Sequence, residues 1–204
     1  RFQPWIPFYK GTLNSASRPL EKYYRKIPSE QFSKQVADSL FIRNDYHDTI
    51  MKMIVDSKLS VKKEYKYSDF TFMILKDYLE KTTGKKIDLL SFENFFKPLG
   101  ANNTMYNPLQ KTNKLDIPPT EIDTYFRHQT IQGYVHDMAA AMEGGIAGHA
   151  GIFSNAMDVA KIMQMYLQKG NYGNHTYFSE QTFNDFNTCY FCPEGNRRGI
   201  GFDK

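Results

Sequence analysis

Tyr67 and Asp69 place a phenol and a carboxylate two residues apart, with Ser68 between them, just before a predicted helix. On a turn, side chains two apart can face one way while the middle one faces another. A tyrosine accepts protons near neutral pH only if its pKa, about 10 in water, is lowered by a cation. A carboxylate beside it can hold a lysine ammonium for that purpose. The pair suits proton transfer in nucleophilic chemistry. From local sequence, a helix cap plus a half-buried tyrosine accounts for the same tripeptide.

The other reactive residue types offer less. Ser60 is the single serine with a lysine three residues on, at Lys63. A serine nucleophile of that kind needs a buried helix start and a lysine desolvated enough to lose its proton. The segment Ser60-Val61-Lys62-Lys63-Glu64 is charged throughout, so the spacing reads as chance. His149-Ala150-Gly151 fits an H-x-G pattern, but it runs within three residues into a capped helix and reads as a loop. The histidines at 47, 128, 136, 149 and 175 share no metal-ligand spacing, so neither a metal nor a cofactor is expected. His47-Asp48 and His136-Asp137 are adjacent pairs that cannot make a triad contact by themselves; packing is their default role. Cys189 and Cys192 form a C-x-x-C without a second knuckle, which leaves them free or joined to each other. Lys58, Lys62, Lys63 and Lys66 read as a solvated face.

These residues need elements to position them. Ser29 is a candidate cap for a helix to about Ser39, since Phe32, Val36 and Leu40 recur at helical spacing. Asp45 to Val55 is a second helix, with Ile50, Met51, Ile54 and Val55 inward. Ser68 or Asp69 starts a third, carrying Phe72, Leu75, Tyr78 and Leu79 and stopped by Gly84. Asp88 opens another with Leu89, Phe92, Phe95 and Phe96 inward, ended by Pro98-Leu99-Gly100. The stretch from Tyr106 to Thr124 reads as loop, and Tyr125 to Val135 as strand in places. The glycine-dense turn Gly144 to Gly151 feeds Ile152-Phe153 and a helix from the cap Ser154 to Gln168, closed by Gly170. Ser179 starts a last helix with Phe183 and Phe186. The pattern is helix-rich, with strands mostly at the ends.

The 204 residues carry 26 Lys+Arg against 22 Asp+Glu, 41% hydrophobic residues and a formal net charge of +4. That balance builds a core and excludes disorder. It also implies no surface dedicated to a polyanion, so nucleic acid is not an expected partner. No apolar run approaches the roughly 18 residues of a membrane span. Aromatics, at 15%, are expected mainly in the core. The chain starts at Arg1, and Gly199 to Lys204 reads like a strand cut off as it begins, so a piece of a longer protein is expected.

Taken together, Tyr67 to Leu75, Thr82-Thr83-Gly84-Lys85-Lys86 and Phe96-Lys97-Pro98-Leu99-Gly100 to Thr104 resemble the serine β-lactamase-like and penicillin-binding-protein-like hydrolases. They match that group's Y-S-[ND] turn, helix, "TG" stop and "PLG" helix end in order. Gly133 to Asp137 and Gly148 to Ser154 are similar to one branch, as are Trp5 to Lys10 and Asn196 to Lys204. In that branch a β-lactamase-type domain follows a family-three glycoside hydrolase domain, β-N-acetylhexosaminidase-like, in an exported bacterial protein. The resemblance implies an α+β (α/β) class: residues 1–204 as the helix-rich central part of a β-lactamase/transpeptidase-like domain, incomplete at both ends. It implies a periplasmic or extracellular location and acyl transfer from an amide or ester, the substrate being a small molecule or a cell-wall peptide or glycan. The family uses S-x-x-K, Y-x-[NS] or Y-S-D, and K-T-G or H-x-G. Carried over, Tyr67 shuttles protons and Asp69 is its polar partner, with Ser68 and His149 as substrate contacts. Asp69 departs from the commoner asparagine: a carboxylate accepts only, and cannot donate to a substrate carbonyl. The S-x-x-K is expected before Arg1 and the H-x-G strand beyond Lys204, which leaves the isolated piece silent. The alternative is a noncatalytic module gripping glycan for a neighbouring glycosidase.

Overall fold

A computed structural model describes residues 5–59, 61, 66–195 and 197–202. In chain order its elements are β1 (Tyr24–Arg25), β2 (Lys34–Ala37), β3 (Leu40–Ile42), α1 (Tyr46–Val55), α2 (Phe70–Thr83) and α3 (Ile87–Ser91). Then follow β4 (Met105–Tyr106), β5 (Glu121–Asp123), β6 (Gln129–Ile131), α4 (Met138–Met142), β7 (Ile152–Phe153), α5 (Ala156–Leu167), β8 (Asn171–Tyr172), β9 (His175–Thr176) and α6 (Glu180–Asn187). The mixed helix and strand content is that of the α+β class. The strands, however, are spread along the chain and not gathered at its ends. Two compact units result, Arg1–Asp88 with Tyr106–Phe153 and Leu89–Met105 with Ser154–Lys204.

In the first unit, β1, β3 and β2 form an antiparallel sheet in that order. This corrects the helix expected from Ser29 to Ser39. Ser29 and Phe32 exchange backbone hydrogen bonds in a turn, and Ser39, at φ 48, reverses the chain between β2 and β3. A spacing of four residues keeps one face in a helix, but four is also even and keeps one face in a strand. Phe32, Val36 and Leu40 therefore fit both, and burial of Val36 and Ala37 in the sheet decides it.

α1 forms as expected behind Asp45, with Ile50 and Ile54 buried; Val55 stays exposed. α2 also starts and stops where predicted, at Asp69 and at Gly84 in the left-handed region. Its buried face differs. Phe70, Met73 and Lys76 point inward, while Phe72, Leu75, Tyr78 and Leu79 are exposed. Phe70 packs beside Phe8, ring centroids 5.8 Å apart, in a core that also holds Tyr24, Ile42, Ile50 and Phe126. Aromatics thus supply part of the core, and several others remain on the surface.

The β5–β6 hairpin is held by Arg127, whose side chain is fully buried. Its Nε donates to Asp123 Oδ2 at 2.8 Å, and its other nitrogens donate to Glu121 Oε1 and to the carbonyls of Val135 and His136. A buried guanidinium must satisfy its donors inside the protein. In doing so it fixes the chain just ahead of Asp137.

In the second unit, Phe96, Leu99, Ala101 and Met165 make a separate core. Phe96 is the one inward ring of the expected set; Leu89, Phe92 and Phe95 are exposed. Asn155, and not Ser154, caps α5, accepting from the Asp158 N–H at 2.9 Å. Met165, which the helical spacing did not single out, is buried on α5, whereas Met157, Met163 and Leu167 are exposed. Ser179 caps α6 as expected, and Cys189 and Cys192 are joined by a disulfide.

Candidate active site

Tyr67 lies at the mouth of α2 with 64% of its surface exposed, so it is no core filler. Ser68 Oγ accepts from the Phe70 N–H at 3.3 Å. Asp69 occupies the N-cap position of α2 in helical backbone geometry, φ −79 and ψ −18, and its side chain accepts no cap hydrogen bond. The carboxylate sits elsewhere: one of its oxygens lies within 4.8 Å of a carboxylate oxygen of Asp137 and of a ring nitrogen of His149. Tyr67, Asp69, Asp137 and His149 all belong to the first unit.

Asp137 does cap its own helix. Its Oδ1 accepts from the Ala140 N–H at 2.7 Å and lies 2.9 Å from His149 Nε2. Burial pushes the Asp137 carboxyl up, but the His149 ring and the Ala140 N–H outweigh it and hold the group below the ordinary carboxylate range. The His149 side chain is 2% exposed, and its Nδ1 has no hydrogen-bond partner among the described residues. Asp69 and Asp137 also share the wall of a cavity of about 20 Å³ with Phe8 and Phe70. That is room for a single water.

The glycine turn brings His149 to this place. Gly148 lies against the first turn of α2 so closely that a Cβ on it would stand 2.2 Å from the Phe72 carbonyl oxygen. Neither backbone segment can give way cheaply. Gly148→Ala is expected to cost about 1–3 kcal/mol through overpacking, read as a lower denaturation midpoint; an unchanged midpoint would mean that loop and helix are not in contact.

Of the predicted site residues, Asp69 and His149 are brought together, Ser68 belongs to the local turn, and Tyr67 is exposed two residues before Asp69. His149 lines a cleft of about 510 Å³ with His136 and Ile152, and it precedes a strand of two residues, Ile152–Phe153. Ser60 and Lys63 lie outside the described residues. Sequence reasoning missed Asp137, which it left to packing. The available signal was its capping position, three residues before Ala140. The histidine of each adjacent His-Asp pair faces a carboxylate elsewhere: His136 Nε2 lies 3.4 Å from Glu121 Oε2, and His47 faces Glu143 and Asp77.

That last contact belongs to a second polar group, on a cleft of about 720 Å³ lined by Lys34, His47, Lys76, Glu80 and Glu143. His47 Nδ1 is 2.8 Å from Glu143 Oε1, and Lys76 Nζ donates to Glu143 Oε2 at 3.3 Å. Burial pushes the Glu143 carboxyl up, yet the His47 bond and the charges of Lys34 and Lys76 bring it down to about 2. His47 is held above its ordinary value, chiefly by its hydrogen bond to Glu143. None of Tyr67, Asp69 or His149 lines this cleft.

The Beta-lactamase family model matches residues 19–200. The chain belongs to this family. It is 38% identical over 128 residues to an N-acetylmuramyl-L-alanine amidase of Bacillus subtilis, covering 57% of the chain and 29% of that relative. It is 34% identical over 184 residues to a Salmonella agona protein provisionally named a D-alanyl-D-alanine carboxypeptidase, covering 83% of the chain and 42% of the relative. The chain thus spans less than half the length of these curated relatives. Among solved structures, the octameric penicillin-binding protein homologue of Pyrococcus abyssi shares the fold at TM-score 0.51 and 18% identity, over 70% of this chain and 30% of that one. The β-lactamase/penicillin-binding-protein-like fold expected from the sequence is therefore the fold observed.

Proposed function

We propose that this chain is part of a serine hydrolase that transfers acyl groups from an amide or ester, with cell-wall peptide as the substrate class. A serine Oγ adds to the carbonyl carbon, its proton passes to a base that includes Tyr67, and that proton then goes to the departing amine or alkoxide. Water releases the acyl group from the serine by the reverse route. Asp69 orients the lysine of the S-x-x-K element, a role that suits a group able only to accept. Ser68 borders the substrate, and His149, with its side chain 2% exposed, serves the site from behind it. The observation that carries the reading is the exposed Tyr67 phenol of a Y-S-D turn at the mouth of α2. The names of the amidase and carboxypeptidase relatives support the substrate class.

Residues 1–204 form one portion of such a domain in this reading. In the same reading the parent is a periplasmic or extracellular protein, and the resemblance of Gly133 to Asp137 and Gly148 to Ser154 supports a preceding glycoside hydrolase domain. The test is incubation of the full-length gene product with a fluorescent penicillin and, separately, with a peptide ending in D-alanyl-D-alanine. Covalent labelling on a serine, or release of D-alanine, is the expected result. A full-length product that does neither overturns the proposal.

A further inference from the structure

The geometry points to Asp137 and His149 as the pair that positions the Tyr67–Ser68–Asp69 turn, acting through Asp69. This rests on the acyl-transfer reading of Tyr67. Three observations converge on it. Asp69 stands at the N-cap of α2 and its side chain does not make the cap bond that its place offers, which leaves its carboxylate to turn elsewhere. One oxygen of that carboxylate, one oxygen of Asp137 and one ring nitrogen of His149, 68 and 80 residues further along the chain, all lie within 4.8 Å of one another. Finally, each member of the pair is anchored by its own backbone: Asp137 caps α4 and follows the carbonyls held by Arg127, and Gly148 lies against the Phe72 carbonyl.

An exposed phenol on a turn samples several directions unless something fixes the turn. Ser68 supplies one local bond, at 3.3 Å. The Asp69 carbonyl accepts from the Phe72 and Met73 N–H groups at 3.0 and 3.1 Å, and in this inference the buried imidazole, which presents one ring nitrogen to Asp137, adds a restraint on the Asp69 carboxylate near it. Misplacement of a proton-transfer group by about 1 Å costs up to about 100-fold in rate, so such a restraint acts on the chemical step more than on binding. The charged groups facing His149 are Asp69 on the α2 turn and Asp137 at the start of α4. Tyr67 remains the group assigned to the reaction; Asp137 and His149 are positioning residues.

Two variants of the full-length gene product separate a positioning role from a packing role. His149→Phe fills the ring's volume without its nitrogens, and is expected to slow penicillin acylation at least about tenfold with the half-saturating concentration unchanged. His149→Gln returns an amide donor toward Asp137 and is expected to restore at least half of the lost rate. In parallel, amide hydrogen exchange is expected to quicken at 66–72 in His149→Phe, to recover in His149→Gln and to stay unchanged in α1. Should His149→Phe fail to fold, Asp137→Asn serves instead: it keeps an oxygen for the Ala140 N–H, weakens the bond to His149 and should move both readouts the same way.

Acylation at the wild-type rate in His149→Phe, with Tyr67→Phe slowed at least ~100-fold, overturns the inference and leaves the proposed function standing. If the wild-type protein is never acylated, the proposed function fails and exchange alone decides: quickening at 66–72 upholds the pair, no quickening overturns it. Recovery of one zinc per chain, lost in His149→Phe, also overturns it, because the three side chains would then be metal ligands.

Discussion

Tyr67→Phe in the full-length gene product is expected to lower the rate of acylation by a penicillin at least ~100-fold, the usual range for losing a positioned proton-transfer group. The substitution removes one oxygen and keeps the ring. Because that ring is 64% exposed, the core loses nothing, and a surface change of this kind alters stability by no more than about 0.5 kcal/mol. A large fall in rate at constant thermal midpoint therefore reports chemistry. The fall should appear in the maximal acylation rate and not in the half-saturating concentration, since the phenol moves a proton and contributes little to holding the ligand. Labelling close to the wild-type rate would remove Tyr67 from the mechanism.

Glu143→Ala is expected to destabilise the protein by about 3–5 kcal/mol, because it leaves Lys76 and His47 without the carboxylate they share. The Glu143 side chain is 4% exposed and that of Lys76 10%, so water replaces little of what is lost. Adding Lys76→Met to Glu143→Ala should recover part of the cost, since an apolar chain of similar length removes the stranded charge. A double variant no more stable than the single one would show that the carboxylate's packing, and not the charge, mattered.

The pH dependence follows from the directions of the two shifts. Glu143 lies below its ordinary 4.5 at about 2, so its contribution is complete above pH 4.5 and is lost as the pH falls toward about 2. His47 lies above its ordinary 6.5, so its contribution is complete below pH 6.5 and is lost as the pH rises through its folded value. Both contributions are present together between pH 4.5 and 6.5. Denaturant titrations of the wild type should accordingly lose stability above pH 6.5, and His47→Gln should flatten that loss. Parallel curves for the two proteins would exclude the His47–Glu143 pair as its source.

Short-range features of the chain were legible without coordinates. Gly84 ends α2 in the left-handed region, Ser179 caps α6, and the run behind Asp45 becomes α1. Each depends on atoms within four or five residues, and a sequence displays such neighbours directly. The Y-S-D turn before α2 was legible for the same reason, and with it the candidate phenol.

Which face of an element turns inward is set by partners far along the chain. Lys76 is buried on α2 while Leu75 and Leu79 are exposed, because Glu143, 67 residues away, supplies the charge that lets a lysine leave water. Val36 lies in a strand and not a helix because β3 pairs with its neighbours Gln35 and Ala37, and its spacing fits both periods. Asp69 could be named from sequence as a cap or as a catalytic partner. Only the fold brings Asp137 and His149 to its carboxylate, since hydrogen bonding between distant segments depends on how the chain closes on itself, which no local pattern encodes. The sequence by itself determined the turn, the helix it opens and the family; the tertiary structure decided what surrounds the turn.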